Sequence, residues 1–310
     1  MKCVRCRAKP EVYLRAHNSA FCRSCYVEYF RRQVERAVRR QRMLAPGERV
    51  LVAVSGGKDS LALWDVLAAL GYDTTGLYLA QGIGEYSTRS RALVEAFAAA
   101  RGLPLRVVDF TVEDGGMAVP DVAALTRRSP CAACGTLKRH YFDRAAREGG
   151  FDVLATGHNL DDEAARLLGN VLHWQRDRLA RQRPVLEPSH PAFVRKVKPL
   201  YLLSEYETAT YAFLRGIDYV VEECPNAAGA TQLVYKDVLG RLEAASPGTK
   251  AAFVREFLRT GQPAFAAEPT APPATCTRCG MPAFGEVCGH CALVAEIARK
   301  RAASLHAEAP

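Results

Sequence analysis

Along the middle of the chain, short and continuous apolar runs alternate with longer stretches whose apolar residues recur at helical spacing. "RVLVAVS" (49–55), "TTGLYLA" (74–80), "LRVVDF" (105–110), "DVLATG" (152–157) and "IDYVV" (217–221) are rich in Val, Leu and Ile and read as strands. "DSLALWDVLAAL", "TRSRALVEAFAAARG" and "LKRHYFDRAAREGG" lie between them and read as helices. Strands that are apolar throughout, separated by helices, predict a parallel sheet buried on both faces. The expected fold class is therefore α/β, a doubly wound, Rossmann-like parallel sheet that binds ligands at the carboxyl ends of its strands.

The flanks read differently. Residues 26–43 carry a basic helical pattern ended by Pro46 and Gly47, and "GQPAFAAEPTAPPAT" (261–275), with four prolines and no periodicity, reads as a linker. The expected organisation is a small unit over 1–27, a connecting helix over 28–45, the α/β domain over 46–260, the linker over 261–275 and a second small unit over 276–310, whose tail reads as a short helix. The "MKCVRCRAKP" start has no apolar stretch of the signal-peptide kind, and no apolar run reaches the ~18 residues needed to span a bilayer, so a cytoplasmic protein with no membrane partner is expected.

Charge and cysteines sharpen this picture. The net charge is +9, and residues 1–42 alone hold 12 Lys or Arg against Glu11, Glu28 and Glu35. A basic end of this kind suits a polyphosphate partner such as RNA through counterion release. Basic residues recur at Arg176, Arg178, Arg181, Arg183, Arg195, Lys196 and Lys198, opposed by Asp177 and Glu187, as a second candidate RNA contact.

Eight of the 11 cysteines form two complete tetrads. Cys3, Cys6, Cys22 and Cys25 have the spacing C-x2-C-x15-C-x2-C, and Cys276, Cys279, Cys288 and Cys291 the spacing C-x2-C-x8-C-x2-C. Each pair of knuckles supplies the four soft ligands of a closed structural zinc site, so two Zn²⁺ are expected and His17 and His290 are spare. Cys131, Cys134 and Cys224 remain. Three ligands leave a coordination position open, which is what a catalytic metal site keeps. Cys131, Cys134 and Lys138 fall at i, i+3 and i+7 near a helix start that favours thiolates, and Cys224 is expected just past the "IDYVV" strand.

Two loops leave strands and enter helices. "VSGGKDS" (54–60) combines glycines, a helix start and Lys58, the elements of a phosphate cradle, but it lacks the Walker A spacing. In "GHNLDDEAARLL" (157–168), Asn159 is a candidate N-cap and Asp161, Asp162 and Glu163 crowd the first turn. Carboxylates beside a polyphosphate commonly hold Mg²⁺. His158 reads as a packed or capping residue.

The stretch Ser55 to Ser60 resembles the S-G-G-x-D-S signature of the PP-loop ATP pyrophosphatases, and "GHNLDDE" resembles the G-H-N-x-D-D motif of members that act on tRNA. With the cysteine trio and the terminal tetrads, nearly the whole chain resembles the tRNA 2-thiouridine synthetases of the TtuA type, relatives of TtcA. That resemblance implies ATP held by Ala53, Ser55, Gly56, Gly57, Lys58, Asp59, Ser60, Leu79 and Gly157, with Asp59 organising Mg²⁺ and Leu79 near the adenine. It further implies an oxygen-sensitive [4Fe-4S] cluster on Cys131, Cys134 and Cys224, with Lys138 and either Asp161 or Asp162 in catalytic roles. The implied reaction is adenylation of the C2 oxygen of a tRNA uridine and its replacement by sulfur carried on the cluster. Uridine 54 of the T loop is the expected target, with wobble uridine 34 as the alternative. The implied partners are tRNA, a ubiquitin-like sulfur carrier with a C-terminal thiocarboxylate, and a second copy of the chain. The residues alone leave open zinc or a persulfide at the trio, and a PP-loop enzyme that transfers nitrogen.

Overall fold

The computed structural model describes residues 1–227, 229–265 and 273–307. A two-stranded ribbon opens the chain, with β1 (Val12–Leu14) antiparallel to β2 (Ser19–Phe21), and α1 (Arg23–Arg40) leaves directly from its second cysteine knuckle. The α/β unit then runs through β3 (Arg49–Val54), α2 (Lys58–Ala69), β4 (Asp73–Ala80), α3 (Gly84–Arg101) and β5 (Leu105–Asp109). Two helices follow, α4 (Val119–Thr126) and α5 (Pro130–Glu148), before β6 (Val153–Thr156), α6 (Leu160–Leu172) and α7 (Arg176–Arg181). Next come β7 (Val185–Leu186), β8 (Arg195–Val197), α8 (Glu205–Leu214), α9 (Thr231–Ala245) and α10 (Thr249–Glu256). A second ribbon, β9 (Ala274–Thr275) and β10 (Pro282–Ala283), precedes α11 (Gly289–Ala307), which at 19 residues is longer than the short helix expected.

The central sheet has the order β5-β4-β3-β6-β8-β7, parallel except for β7. Four of the five expected strands are present. The fifth, "IDYVV", is not a strand: the position beside β6 is taken by β8, and residues 217–221 lie outside the sheet without regular secondary structure. Side chains alternate between two cores, as the pleat requires. Val50, Val52 and Val54 pack with α1, α2, α3 and α8, whereas Leu51, Leu77 and Leu154 pack with α4, α5 and α11. Residues Phe257–Ala264, which overlap the expected linker, are helical, and buried Gln262 donates to the Ala180 carbonyl at 2.7 Å. Among the described residues no helix is long and apolar enough to cross a membrane.

One buried carboxylate ties the helices of the first core together. Asp65, 3% exposed, accepts from Arg101 Nε (2.7 Å), Arg215 Nε (2.9 Å) and the Tyr211 hydroxyl (2.7 Å). Burial would raise its pKa, but Arg215, Arg101 and Tyr211 hold it below the usual carboxylate range. A depressed folded-state pKa stabilises the fold above the unfolded value, and that contribution is lost as pH falls through the folded value. Asp65→Ala is expected to cost about 1–3 kcal/mol in a denaturant titration at neutral pH, because it leaves the buried Tyr211 hydroxyl unpaired while the part-exposed Arg101 and Arg215 can turn to water. The difference from the parent chain should shrink in acid.

Candidate active site

The phosphate loop is braced by its own serines. The Ser55 amide donates to Ser60 Oγ at 3.0 Å, and Ser60 Oγ donates to the Gly57 carbonyl at 3.0 Å. Gly56 has φ +82° and sits so close to Ser90 that an added Cβ would lie 3.0 Å from its carbonyl oxygen. Gly57 caps α2 without a side-chain bond, leaving the first-turn N–H groups of Lys58, Asp59 and Ser60 facing the loop. Ala53 lies below the loop on β3, and Leu79 is buried on neighbouring β4.

The second loop packs directly on the first. A Cβ at Gly157 would come within 2.9 Å of Asp59 backbone carbon, so only glycine permits this approach. Asn159 caps α6 in a reciprocal box with Asp162, and its side-chain amide donates to Asp59 Oδ1 at 3.0 Å. Asp161 and Asp162 then diverge. Asp161 accepts from the Glu205 amide at 2.8 Å and pairs with Lys250, so it fastens α6 to α8 and α10. Asp162 pairs with Lys236 of α9 at 2.6 Å. Lys236 also approaches Glu205 (3.5 Å), which bonds Lys58 at 2.6 Å, and Lys58 reaches Asp59 at 3.2 Å.

Electrostatics follow from this chain of contacts. Burial raises Asp59, with Lys58 and Asn159 only partly opposing it. Burial would also raise Asp162, but Lys236 overcomes it and holds the carboxylate below its usual range. For Lys236 burial works against the charge, yet Asp162 and Glu205 raise its pKa. His158 is pushed down to about 4, chiefly by burial and by nearby Lys198, and its Nδ1 lies 2.8 Å from Thr156 Oγ1. Lys236 and Glu205 carry no sequence signal of their own; only the tertiary fold brings them to the loop.

The three remaining cysteines come together beside the same loop, with Ser55. Ser129 caps α5, placing Cys131 and Cys134 in its first turns and Lys138 one turn further along the stripe. Cys224 does not follow a strand; its segment is tied to the phosphate loop by the Val220 amide, which donates to the Gly56 carbonyl at 2.9 Å. The Cys131 thiol donates to the Asn226 carbonyl (3.3 Å) and the Cys134 thiol to Gln81 Oε1 (2.9 Å). One cavity of about 340 Å³ is lined by Ser55, Gln81, Tyr86, Lys138 and all three cysteines. Burial and the two neighbouring thiols raise the pKa of Cys134 against the pull of Lys138. A metal bound there must displace its proton.

None of the tetrad cysteines lines this cavity. In each tetrad, the four sulfurs lie within 4.8 Å of one another, and Cys6–Cys22 (3.5 Å) and Cys279–Cys288 (3.6 Å) approach the roughly 3.8 Å edge that bonds of about 2.3 Å give a tetrahedral zinc site. The trio is absent from the described groups that meet the 4.8 Å limit. Of the second basic stretch, Arg195, Lys196 and Lys198 are neutralised by Glu48, Asp143 and Glu163 and serve the fold. Arg176, Arg178, Arg181 and Arg183 line a groove of about 1700 Å³ with exposed Trp174 and Phe284, and Lys198 borders it as well.

Comparisons with known proteins agree with this geometry. The PP-loop domain family matches residues 27–229. The tRNA-5-methyluridine(54) 2-sulfurtransferase of Thermus thermophilus is 51% identical over 94% of this chain and 90% of its own length. That of Pyrococcus horikoshii is 42% identical over 94% and 93%. In structure, the U34-tRNA thiolase NcsA from Methanococcus maripaludis, solved with its [4Fe-4S] cluster, superposes with a TM-score of 0.81 at 26% identity, covering 94% of this chain and 95% of that one. A phosphate loop beside three gathered thiols, on a chain that matches these relatives almost end to end, belongs to the PP-loop family of ATP-dependent tRNA 2-sulfurtransferases.

Proposed function

We propose that this chain thiolates uridine 54 in the T loop of tRNA. The observation that carries the reading is the cavity where Ser55 of the phosphate loop, Lys138 and three cysteines from distant segments meet. Uridine 54 is preferred to uridine 34 because the relatives named for position 54 are 51% and 42% identical, against 26% for the U34 thiolase.

The triphosphate of ATP would lie over the first turn of α2, with Lys58 and Lys236 exchanging their contacts to Glu205 for phosphate oxygens. Asp59 and Asp162 would hold Mg²⁺, whereas Asp161 is committed to Lys250 and α8. Leu79 would pack near the adenine. The uracil C2 oxygen attacks the α-phosphorus and pyrophosphate leaves; sulfur then attacks C2, and AMP departs with the original oxygen. Lys138, facing the cavity, would offset negative charge developing on the oxygens around C2.

Cys131, Cys134 and Cys224 are read as ligands of a [4Fe-4S] cluster and not of zinc, because they do not close to the 4.8 Å mutual spacing that both tetrads reach. The cluster would supply an iron position able to hold sulfide. Exposed Cys131 leaves the site reachable by the thin C-terminal tail of a ubiquitin-like thiocarboxylate carrier. Each terminal tetrad would hold one Zn²⁺. The arginine groove and the exposed basic face of α1 would grip tRNA, whose target base must unstack to reach the cavity. An exposed apolar ridge on α9, Val234, Val238 and Leu242, offers a face for a second copy, and action on tRNA suits the cytoplasm.

The test is anaerobic reconstitution followed by reaction with tRNA, ATP and sulfide and mass analysis of the nucleosides. A 2-thio-5-methyluridine product with stoichiometric AMP is expected. A nitrogen adduct, or sulfur confined to position 34, would overturn the reading.

A further inference from the structure

The C-terminal ribbon has almost no apolar core of its own. Its buried cluster consists of Cys276, Ala283, Cys288 and Cys291, with Cys279 and Val287 packed alongside, so a fold built largely of thiols depends on what those thiols bind. Yet this unit is not a loose appendage. Leu293 and Ile297 of α11 are buried in the same core layer as Ala133, Leu137 and Tyr141 of α5.

The contact surrounds the part of α5 that carries the chemistry. Towards the far end of the helix, His290 is 5% exposed and stacks flat on His140, with ring centroids 3.6 Å apart and planes 4° from parallel. Arg147 there donates to the Gly280 carbonyl of the ribbon at 3.1 Å. On the approach to α5, Lys300 donates to the Leu125 carbonyl at 2.6 Å and Glu296 pairs with Arg128 at 3.4 Å. Arg127, between these two anchors, turns the chain with φ +56°. Cys131, Cys134 and Lys138 therefore lie between two points at which the C-terminal unit grips the same helix and its lead-in.

Asp114, His140 and His290 also bring their ligand atoms within 4.8 Å of one another. Stacked rings keep their nitrogen lone pairs in parallel planes that do not converge on one ion, and Arg144 already approaches Asp114 at 3.6 Å. The stack is a docking contact.

We propose that the C-terminal ribbon is a positioning element for the three-cysteine site, holding α5 so that Cys131 and Cys134 stay in place opposite Cys224. This rests on the reading of the trio as a cluster site, but its mechanical part does not. The ribbon would act through His290 and α11, at a distance from the nucleotide.

Hydrogen exchange followed by mass spectrometry on the full chain separates the possibilities. In His290→Ala, which keeps all four ribbon cysteines, and in Cys288→Ser, amides of residues 131–138 should exchange about tenfold faster, with α2 and α6 unchanged. After anaerobic reconstitution, iron per chain should fall in both variants and visible absorption should fade faster in air. Cys3→Ser, in the other tetrad, should leave α5 exchange and iron content as in the parent. Unchanged exchange at 131–138 in His290→Ala overturns the proposal, as does faster exchange spread equally over α2 and α6. A parent chain that takes up no iron would count against the cluster reading alone, since exchange along α5 still decides what the ribbon holds.

Discussion

Cys224→Ala is expected to abolish tRNA thiolation, lowering turnover by about a thousandfold or more, while the affinity for an ATP analogue stays within about twofold. The separation follows from the geometry. Cys224 lines the cavity with Cys131, Cys134 and Ser55, but the charged cluster that would hold the phosphates and their Mg²⁺, Lys58 and Lys236 with Asp59 and Asp162, comes from α2, α6 and α9 and lines none of that cavity. Removing one of three thiols leaves two ligands, too few to hold a cluster or to leave a single defined open position. Cys224 is part-exposed, so truncation opens no large core cavity and the melting temperature should barely move. Loss of ATP binding together with thiolation would show instead that the 217–224 segment matters as a brace for the phosphate loop, through the bond from Val220 to Gly56.

Lys236→Met should raise the KM for ATP by about 10–100-fold, the equivalent of one charge-assisted hydrogen bond of ~1.5–3 kcal/mol. Lys236 reaches the loop from α9, where it shares Glu205 with Lys58 and neutralises Asp162. A polyphosphate arriving there offers the two lysines stronger acceptors than Glu205. Lys236→Arg should recover part of the loss, and raised ionic strength should narrow the gap between parent and variant. The affinity for tRNA, which the proposal assigns to the groove around Arg176 and Arg178, should not change. An unaltered KM in Lys236→Met would place the phosphates away from α9.

The parts of this molecule that could be read from its sequence are those whose chemistry is local. The phosphate loop, the Asn159 cap and the two tetrads each lie within a short stretch where spacing alone constrains geometry. Four parallel strands were legible because burial on both faces leaves unbroken apolar runs. "IDYVV" has the same composition but no free place in the sheet, whereas β8, only three residues long and drawn from charged "RKV", fills that place with one buried side chain, Val197. Lys236, Glu205 and Gln81 gave no signal, since an isolated lysine or glutamate on a helix reads as solvated surface until the fold turns it inward. The same holds for His290. Beside four cysteines it looked redundant, and its stacking on His140 exists only in three dimensions.

The most direct measurement is an anaerobic crystal structure of the reconstituted protein with a non-hydrolysable ATP analogue, with iron located by anomalous scattering. Iron bounded by Cys131, Cys134 and Cys224, in the same cavity as the α-phosphate and Ser55, is the predicted result. Iron bound elsewhere, or a nucleotide whose α-phosphate points away from the three thiols, would contradict it.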